Sequence, residues 1–141
     1  MIVGRDGAVL TGADIHNQGV GQQRSMIVDG RLAFTIRIQN DGDQREDYAI
    51  VGTVIRGSAE GFRIRYRIGN DSGRVQSQRF NARVQDIAPG ASRDLRVVVR
   101  NLEDTPLGAT FELHIGARPP RHGVPESDAV LIKITNVSTP E

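Results

Sequence analysis

A run of alternating apolar and mostly polar side chains occupies residues 32–39, which read Leu32-Ala33-Phe34-Thr35-Ile36-Arg37-Ile38-Gln39. Successive side chains of a β-strand point to opposite faces, so the large apolar residues of this run all lie on one face. The residues that follow, Asn40-Asp41-Gly42-Asp43, are types that favour turns. The stretch therefore predicts a strand with one face in a core and the other face toward solvent.

The same alternation returns four more times along the chain. These strands are predicted around Phe62–Ile68, Leu95–Val99, Phe111–Ile115 and Val130–Ile134. Weaker candidates are Ala8–Leu10, Tyr48–Ile55 and Arg79–Ile87. Apolar residues nowhere recur at helical spacing, and Gly and Pro interrupt nearly every longer stretch. The sequence therefore predicts an all-β fold, an antiparallel Greek-key β-sandwich of seven to nine strands with almost no helix.

Length and composition favour one ordinary domain. The chain has 141 residues, 18 basic against 17 acidic side chains, and no Cys. We expect residues 1–137 to form a single β-sandwich domain and 138–141 to be a tail or the start of a linker. Met1–Asp6 is predicted to be a leading linker or an added start, and Ala117–Asp128, with three prolines, a long loop. The absence of Cys excludes disulfides and thiolate metal sites.

Charge, hydropathy and aromatic content also argue against several classes of partner. A net charge of +1 gives no strong long-range field, so no nucleic-acid partner is predicted. No apolar run reaches the length of a membrane span, so no membrane insertion is expected. Of the six aromatic residues, only Tyr48 and Phe80 are predicted to be exposed, which argues against a sugar site built on aromatic stacking.

Several segments together resemble a known class of domain. The run from Phe34 to Gly42, followed by Asp47-Tyr48-Ala49-Ile50-Val51-Gly52, resembles the centre of immunoglobulin-like repeats of bacterial cell-surface and secreted proteins. Ile87-Ala88-Pro89-Gly90-Ala91-Ser92 looks like the turn that leads into a later strand of those repeats, and Pro89 with Gly90 suits a type II turn. Asp14-Ile15-His16-Asn17 and Gly21-Gln22 are similar to an N-terminal segment of some members. Related modules are the CARDB domains and sandwich modules appended to bacterial glycosidases.

This resemblance implies a function as well as a fold. It implies an immunoglobulin-like sandwich located outside the cell or on its surface, without cofactors and without catalysis. Its role would be structural, adhesive or filament-forming. The partners it implies are other copies of the chain, or neighbouring domains of the same surface protein.

The residue pattern gives little reason to expect an enzyme. The three histidines are His16, His114 and His122, and neither a G-x-S-x-G nor an H-E-x-x-H motif is present. Asp41, Asp43 and Asp47 are candidates for a calcium site, because carboxylates near a strand end can bind the ion. The alternative for these residues is a solvated acidic turn, and no catalytic or metal site is predicted.

Two features remain as candidates for binding and assembly. Arg63, Arg65 and Arg67 share the outward face of one predicted strand, where they could bind an acidic glycan or protein. The alternative is a charged surface that keeps a sheet soluble. A second candidate is exchange of a terminal strand between copies, for which the segments are Ile2, Val3, Ala8, Val9 and Leu10. The alternative is pairing of these segments within their own domain.

Overall fold

The fold is described from a computed structural model, which covers residues 2–5, 22–40, 43–118 and 128–138. Every regular element in these ranges is a strand. The ten strands are β1 (Ile2–Arg5), β2 (Gln22–Val28), β3 (Arg31–Gln39), β4 (Glu46–Gly57), β5 (Phe62–Ile68), β6 (Asp71–Arg74), β7 (Arg79–Ile87), β8 (Ser92–Asn101), β9 (Thr110–Arg118) and β10 (Asp128–Asn136). None of the described residues belongs to a helix long and apolar enough to cross a membrane.

The strands form two five-stranded sheets. Sheet I has the order β1-β3-β8-β5-β6, and sheet II has the order β2-β10-β9-β4-β7. The order β1-β3-β8-β5 corresponds to the A-B-E-D sheet of immunoglobulin domains, and β10-β9-β4 corresponds to the G-F-C sheet. The chain differs from that scheme between β5 and β8, where β6 extends sheet I and β7 crosses to sheet II. The predicted all-β sandwich of immunoglobulin type is confirmed.

Three details of the strand prediction are corrected. The pairing is antiparallel except between β2 and β10, which run parallel. Residues 2–5, predicted as part of a linker, form β1 and pair with β3. β6, which is not among the predicted strands, pairs with β5 through a two-residue turn at Gly69 and Asn70. Gly69 has a φ of +55°, and glycine at the first central position suits a tight hairpin of this kind. With β1, β2 and β6 included, the described residues form ten strands.

The core lies between the inward faces of the two sheets. It contains the alternate apolar residues of the predicted strands, and Phe34 and Phe111 are completely buried. Burial of a side chain of this size contributes roughly 1.5–3 kcal/mol. Phe80 is 3% exposed, so its predicted exposure is wrong, because the ring lies against Tyr66 with centroids 4.7 Å apart. Tyr48 is half-buried and packs against the same core.

The predicted turn at Pro89 and Gly90 is present. The main-chain N–H of Ala91 donates to the carbonyl of Ala88 at 2.9 Å, and Gly90 has a φ of +78°. These are the hydrogen bond and the positive φ that a type II turn requires. The turn brings β8 back into sheet I directly beside the end of β3.

Candidate functional site

The outward face of sheet I carries a large cluster of positive charge. Seven exposed arginines project from β3, β5, β6 and β8, and we call this surface the arginine face: Arg31, Arg63, Arg65, Arg67, Arg74, Arg96 and Arg100. The three arginines of β5 alternate with Phe62, Ile64 and Ile68, which are buried. The structure therefore places Arg63, Arg65 and Arg67 on the outward face, as the alternation predicts.

The register of the strands arranges these residues in rows across the sheet. In the first row, Arg100 of β8 lies between Arg31 of β3 and Arg63 of β5. In the third row, Arg96 is opposite Arg67. Neighbouring strands are about 4.8 Å apart, so the guanidinium groups of one row can reach a common anion.

The middle row differs because its centre is apolar. Val98 of β8 is half-buried on the outward face, between Ala33 of β3 and Arg65 of β5. Arg74 of β6 completes the row beyond Arg65. Read along the outward face of β8, the order is therefore basic, apolar, basic: Arg100, Val98 and Arg96.

The outward positions of the described strands β3, β5, β6 and β8 include one carboxylate. Among the outward positions of β3, β5, β6 and β8, the one acidic residue is Asp94. Its Oδ1 accepts a hydrogen bond from Arg37 Nε at 2.8 Å, and its Oδ2 accepts one from Arg37 Nη2 at 3.3 Å. The carboxylate raises the pKa of Arg37 through this hydrogen bond and its charge. Asp94 is thus engaged by Arg37 at the edge of the arginine face.

Like charges directly opposite each other on a sheet lower its stability. Two unit charges about 4 Å apart repel by about 1 kcal/mol in water, although long side chains can spread apart. The row formed by Arg31, Arg100 and Arg63 is therefore a cost to the stability of the fold.

The surface between the arginines is concave. A depression of about 280 Å³, which we call the Val98 depression, is lined by Arg63, Arg65, Val98 and Arg100. A second groove of about 430 Å³ adjoins it at Arg63 and includes Arg74 and Leu102 in its lining. Leu102 is 40% exposed. The arginine face thus combines cationic walls with small exposed apolar areas.

The free edge of β7 is occupied by side chains of sheet I. Tyr66 Oη donates to the carbonyl of Asn81 at 2.9 Å, and the N–H of Arg83 donates to Asp71 Oδ2 at 3.0 Å. Both main-chain groups point away from β4, on the side where another strand would pair. This arrangement protects the edge against strand addition.

The other candidate residues are not brought together into a site. His114 lies on the outward face of β9, whereas His16 and His122 lie outside the described residues. Of the calcium candidates, Asp43 is exposed and Asp47 Oδ1 accepts the N–H of Asp86 at 2.8 Å, while Asp41 lies outside the described residues. Within the described ranges, no group of three His, Cys, Asp or Glu side chains could hold a metal ion.

Of the segments predicted for strand exchange, the structure describes Ile2 and Val3 only. Ile2 and Val3 are part of β1, which pairs with β3 of its own chain through four register pairs. Ala8, Val9 and Leu10 lie outside the described residues. The first segment is therefore paired within its own chain in this structure.

Sequence reasoning missed Arg31, Arg74 and Val98 as members of the site. Arg31 continues the outward set of β3, two residues before Ala33, so the alternation itself was a usable signal. Arg74 carried no such signal, because its strand follows a turn-like stretch. The place of Val98 among arginines depends on the pairing of β5 with β8, which is a long-range feature.

Known proteins are similar to the chain in structure but not in sequence. No family model matches the chain, so its resemblance to CARDB domains stays a prediction. No curated protein sequence matches it either.

Three solved structures illustrate the structural likeness. The collagen-binding subdomain of the Enterococcus faecalis surface protein ACE is 15% identical, with a TM-score of 0.47, and the match covers 79% of this chain and 94% of that one. The CupB6 tip adhesin from Pseudomonas aeruginosa is 12% identical, with a TM-score of 0.47, over 85% of this chain and 42% of that one. AvmM, which catalyses macrocyclization in alchivemycin A biosynthesis, is 10% identical, with a TM-score of 0.45, over 87% of each chain.

Proposed function

We propose that this chain is a noncatalytic adhesive module of the extracellular space or cell surface, and that it binds an acidic partner through the arginine face. The observation that carries the proposal is the first row, in which Arg31, Arg100 and Arg63 lie side by side on three adjacent strands. Guanidinium groups bind carboxylates and sulfates through paired hydrogen bonds, which suits an acidic glycan or an acidic protein. A flat sheet face presents such groups without a closed pocket.

A further feature supports a binding role over an enzymatic one. The lining of the Val98 depression contains three arginines but no acid, histidine or hydroxyl side chain. General acid–base or nucleophilic catalysis needs such groups within hydrogen-bond distance of one another. The arginines instead offer a surface of fixed positive charge.

The test is retention on an anionic matrix, with heparin and immobilised polyglutamate as the two probes. We expect the wild-type protein to be retained and to elute with salt, since screening weakens contacts between exposed charges. The triple variant Arg63→Ser, Arg65→Ser, Arg67→Ser should lose this retention.

The matched control removes three exposed arginines from strands of sheet II, as Arg79→Ser, Arg83→Ser and Arg118→Ser. It has the same net charge as the first variant and should keep most of the retention. Equal losses of retention in the two variants would show that retention depends only on the net charge of the protein. Unchanged retention in the first variant would show that the arginine face is not the binding surface.

A second role, assembly through exchange of β1, is favoured by one observation. The β1–β3 pairing lies at the edge of sheet I, and the same four register pairs could be made by β1 of a neighbouring copy. The edge of sheet II at β7 is less open to an added strand, because Tyr66 and Asp71 already bond its main chain. Exchange would link copies into dimers or filaments.

This role is tested with a shortened protein that begins at Thr11. Sedimentation velocity of the full chain should show species larger than a monomer, and the shortened protein should be monomeric. Self-association that persists without residues 1–10, or a full chain that is monomeric at high concentration, would overturn strand exchange.

A further inference from the structure

Along β8, the arginine face has an apolar position between two basic ones. A ligand that carries only anionic groups would make no favourable contact with this apolar position. Along β8 its three rows are basic, apolar and basic, and in the middle row Val98 lies between Ala33 of β3 and Arg65 of β5. Adjacent rows are two residues apart along the strand, which is roughly 6.6 Å. A ligand that places an apolar group between two anions at this spacing would fit all three rows.

An extended polypeptide has this spacing built into its backbone. Side chains at positions i, i+2 and i+4 of a strand project from one side, again roughly 6.6–6.8 Å apart. A segment of the pattern acid–x–aliphatic–x–acid, laid along β8, would therefore place one carboxylate at Arg63 and Arg100. Its aliphatic side chain would lie on Val98, and its second carboxylate would lie at Arg67.

The Val98 depression distinguishes this ligand from an acidic glycan. Its volume of about 280 Å³ accepts one medium-sized side chain, and its floor is the half-buried side chain of Val98 beside the small residue Ala33. Burial of an aliphatic side chain against such a floor is favourable because it removes apolar surface from water. A strongly hydrated sulfated sugar gains nothing from an apolar floor.

We propose that the acidic partner is an extended protein segment with carboxylates flanking an aliphatic residue, read by the three rows of the arginine face. This inference rests on the proposed function and makes it more specific. The charge complementarity of the outer rows sets the position of the segment, and the Val98 depression selects the central side chain.

The experiment compares three fluorescein-labelled peptides of equal length by anisotropy at low salt. The first contains Glu-Ser-Leu-Ser-Glu, the second has the same composition in the order Leu-Ser-Glu-Glu-Ser, and the third replaces the leucine by serine. We expect the first peptide to bind about tenfold more tightly than the third, which corresponds to the burial of one aliphatic side chain. The second peptide should bind as weakly as the third.

Val98→Thr keeps the shape of the side chain but replaces one methyl group by a hydroxyl, and it should bring the first and third peptides to nearly equal affinity. Val51→Thr is the matched control, because Val51 is a half-buried outward valine of sheet II. It should leave the tenfold preference unchanged, and thermal melts of both variants report whether folding is intact.

The outcomes separate this inference from the function on which it rests. Equal binding of all three peptides, together with retention on heparin that depends on Arg63, Arg65 and Arg67, would overturn the pattern-reading inference and identify the glycan as the partner. A tenfold preference that survives Val98→Thr would also overturn it. Failure of the wild-type protein to bind any of these peptides or heparin would overturn the proposed function itself.

Discussion

The side-chain amide of Asn40 donates a hydrogen bond to the main-chain carbonyl of Ile87 at 2.8 Å, although the two residues are 47 positions apart. The same amide donates to the carbonyl of Gln44 at 2.7 Å. Asn40 is 1% exposed, and its own main-chain N–H and carbonyl bond Ala91 and Gly90. One buried side chain thus joins the turn after β3 to the end of β7.

The first prediction concerns this junction. Asn40→Ala removes the donor of both hydrogen bonds and takes from the carbonyl of Ile87 its bond in a buried place. A buried polar group without a hydrogen bond costs about 1–3 kcal/mol. We expect the free energy of unfolding, measured by urea denaturation, to fall by about 2–3 kcal/mol. Gln39→Ala, at the exposed neighbouring position, should change it by less than about 0.5 kcal/mol, and equal stability of the two variants would contradict this account.

The second prediction concerns the contact of Gly52 with Phe80. A Cβ atom on Gly52 would lie 2.0 Å from Cε1 of the Phe80 ring, so the ring would have to move within the core. Gly52→Ala should lower the free energy of unfolding by about 1–3 kcal/mol, as expected for an overpacked site. Adding Phe80→Leu to this variant should restore part of the loss. A double-mutant cycle in which the two effects simply add would show that the ring does not limit residue 52.

The third prediction concerns the turn between β6 and β7. Ser77 and Gln78 have φ values of 54° and 64°, and Gln76 and Arg79 exchange two main-chain hydrogen bonds around them. This is the geometry of a type I′ turn, which favours Asn and Gly. Ser77→Asn should therefore stabilise the fold by about 0.5–1 kcal/mol, seen as a higher melting temperature.

Gln78 provides the comparison for this turn. Its Oε1 accepts the N–H of Ala59 at 2.9 Å, so Gln78→Gly would relieve the backbone but lose that bond. We expect a smaller gain than for Ser77→Asn, or a loss. A larger gain for Gln78→Gly would mean that the side-chain bond contributes nothing to stability.

The fourth prediction is a pH dependence that arises from Tyr66. Burial, and second the charge of Asp71, raise the pKa of its phenol above the ordinary value. The folded state therefore prefers the neutral phenol, and this contribution to stability is present below the ordinary pKa of about 10. It is lost as the pH rises through the raised pKa.

The measurement compares unfolding of the wild type and Tyr66→Phe from about pH 8 to pH 11. The wild type should lose more stability than the variant over the alkaline part of this range, because the variant has no phenol to ionise. Parallel curves for the two proteins would show that Tyr66 does not titrate differently in the folded and unfolded states.

Local alternation was sufficient to predict most strands and the outward position of Arg63, Arg65 and Arg67. It could not give the register of β5 against β8, because the pairing of Arg63 with Arg100 joins residues far apart in the chain. It also missed β2, whose first residues are polar, and β6, which begins directly after a turn. Asn40 illustrates the same limit, since its residue type suggested a local turn, whereas its amide bonds the distant Ile87 as well as Gln44.

The parallel pairing of β2 with β10 has a mechanical consequence. Because the two strands run in the same direction, tension between the start of β2 and the end of β10 pulls them past each other lengthwise. Their seven register pairs then resist together in shear instead of opening one after another. We expect single-molecule pulling from these two points to require more force than pulling apart the paired strands β9 and β10, so the fold would withstand tension between these points while the arginine face stays available.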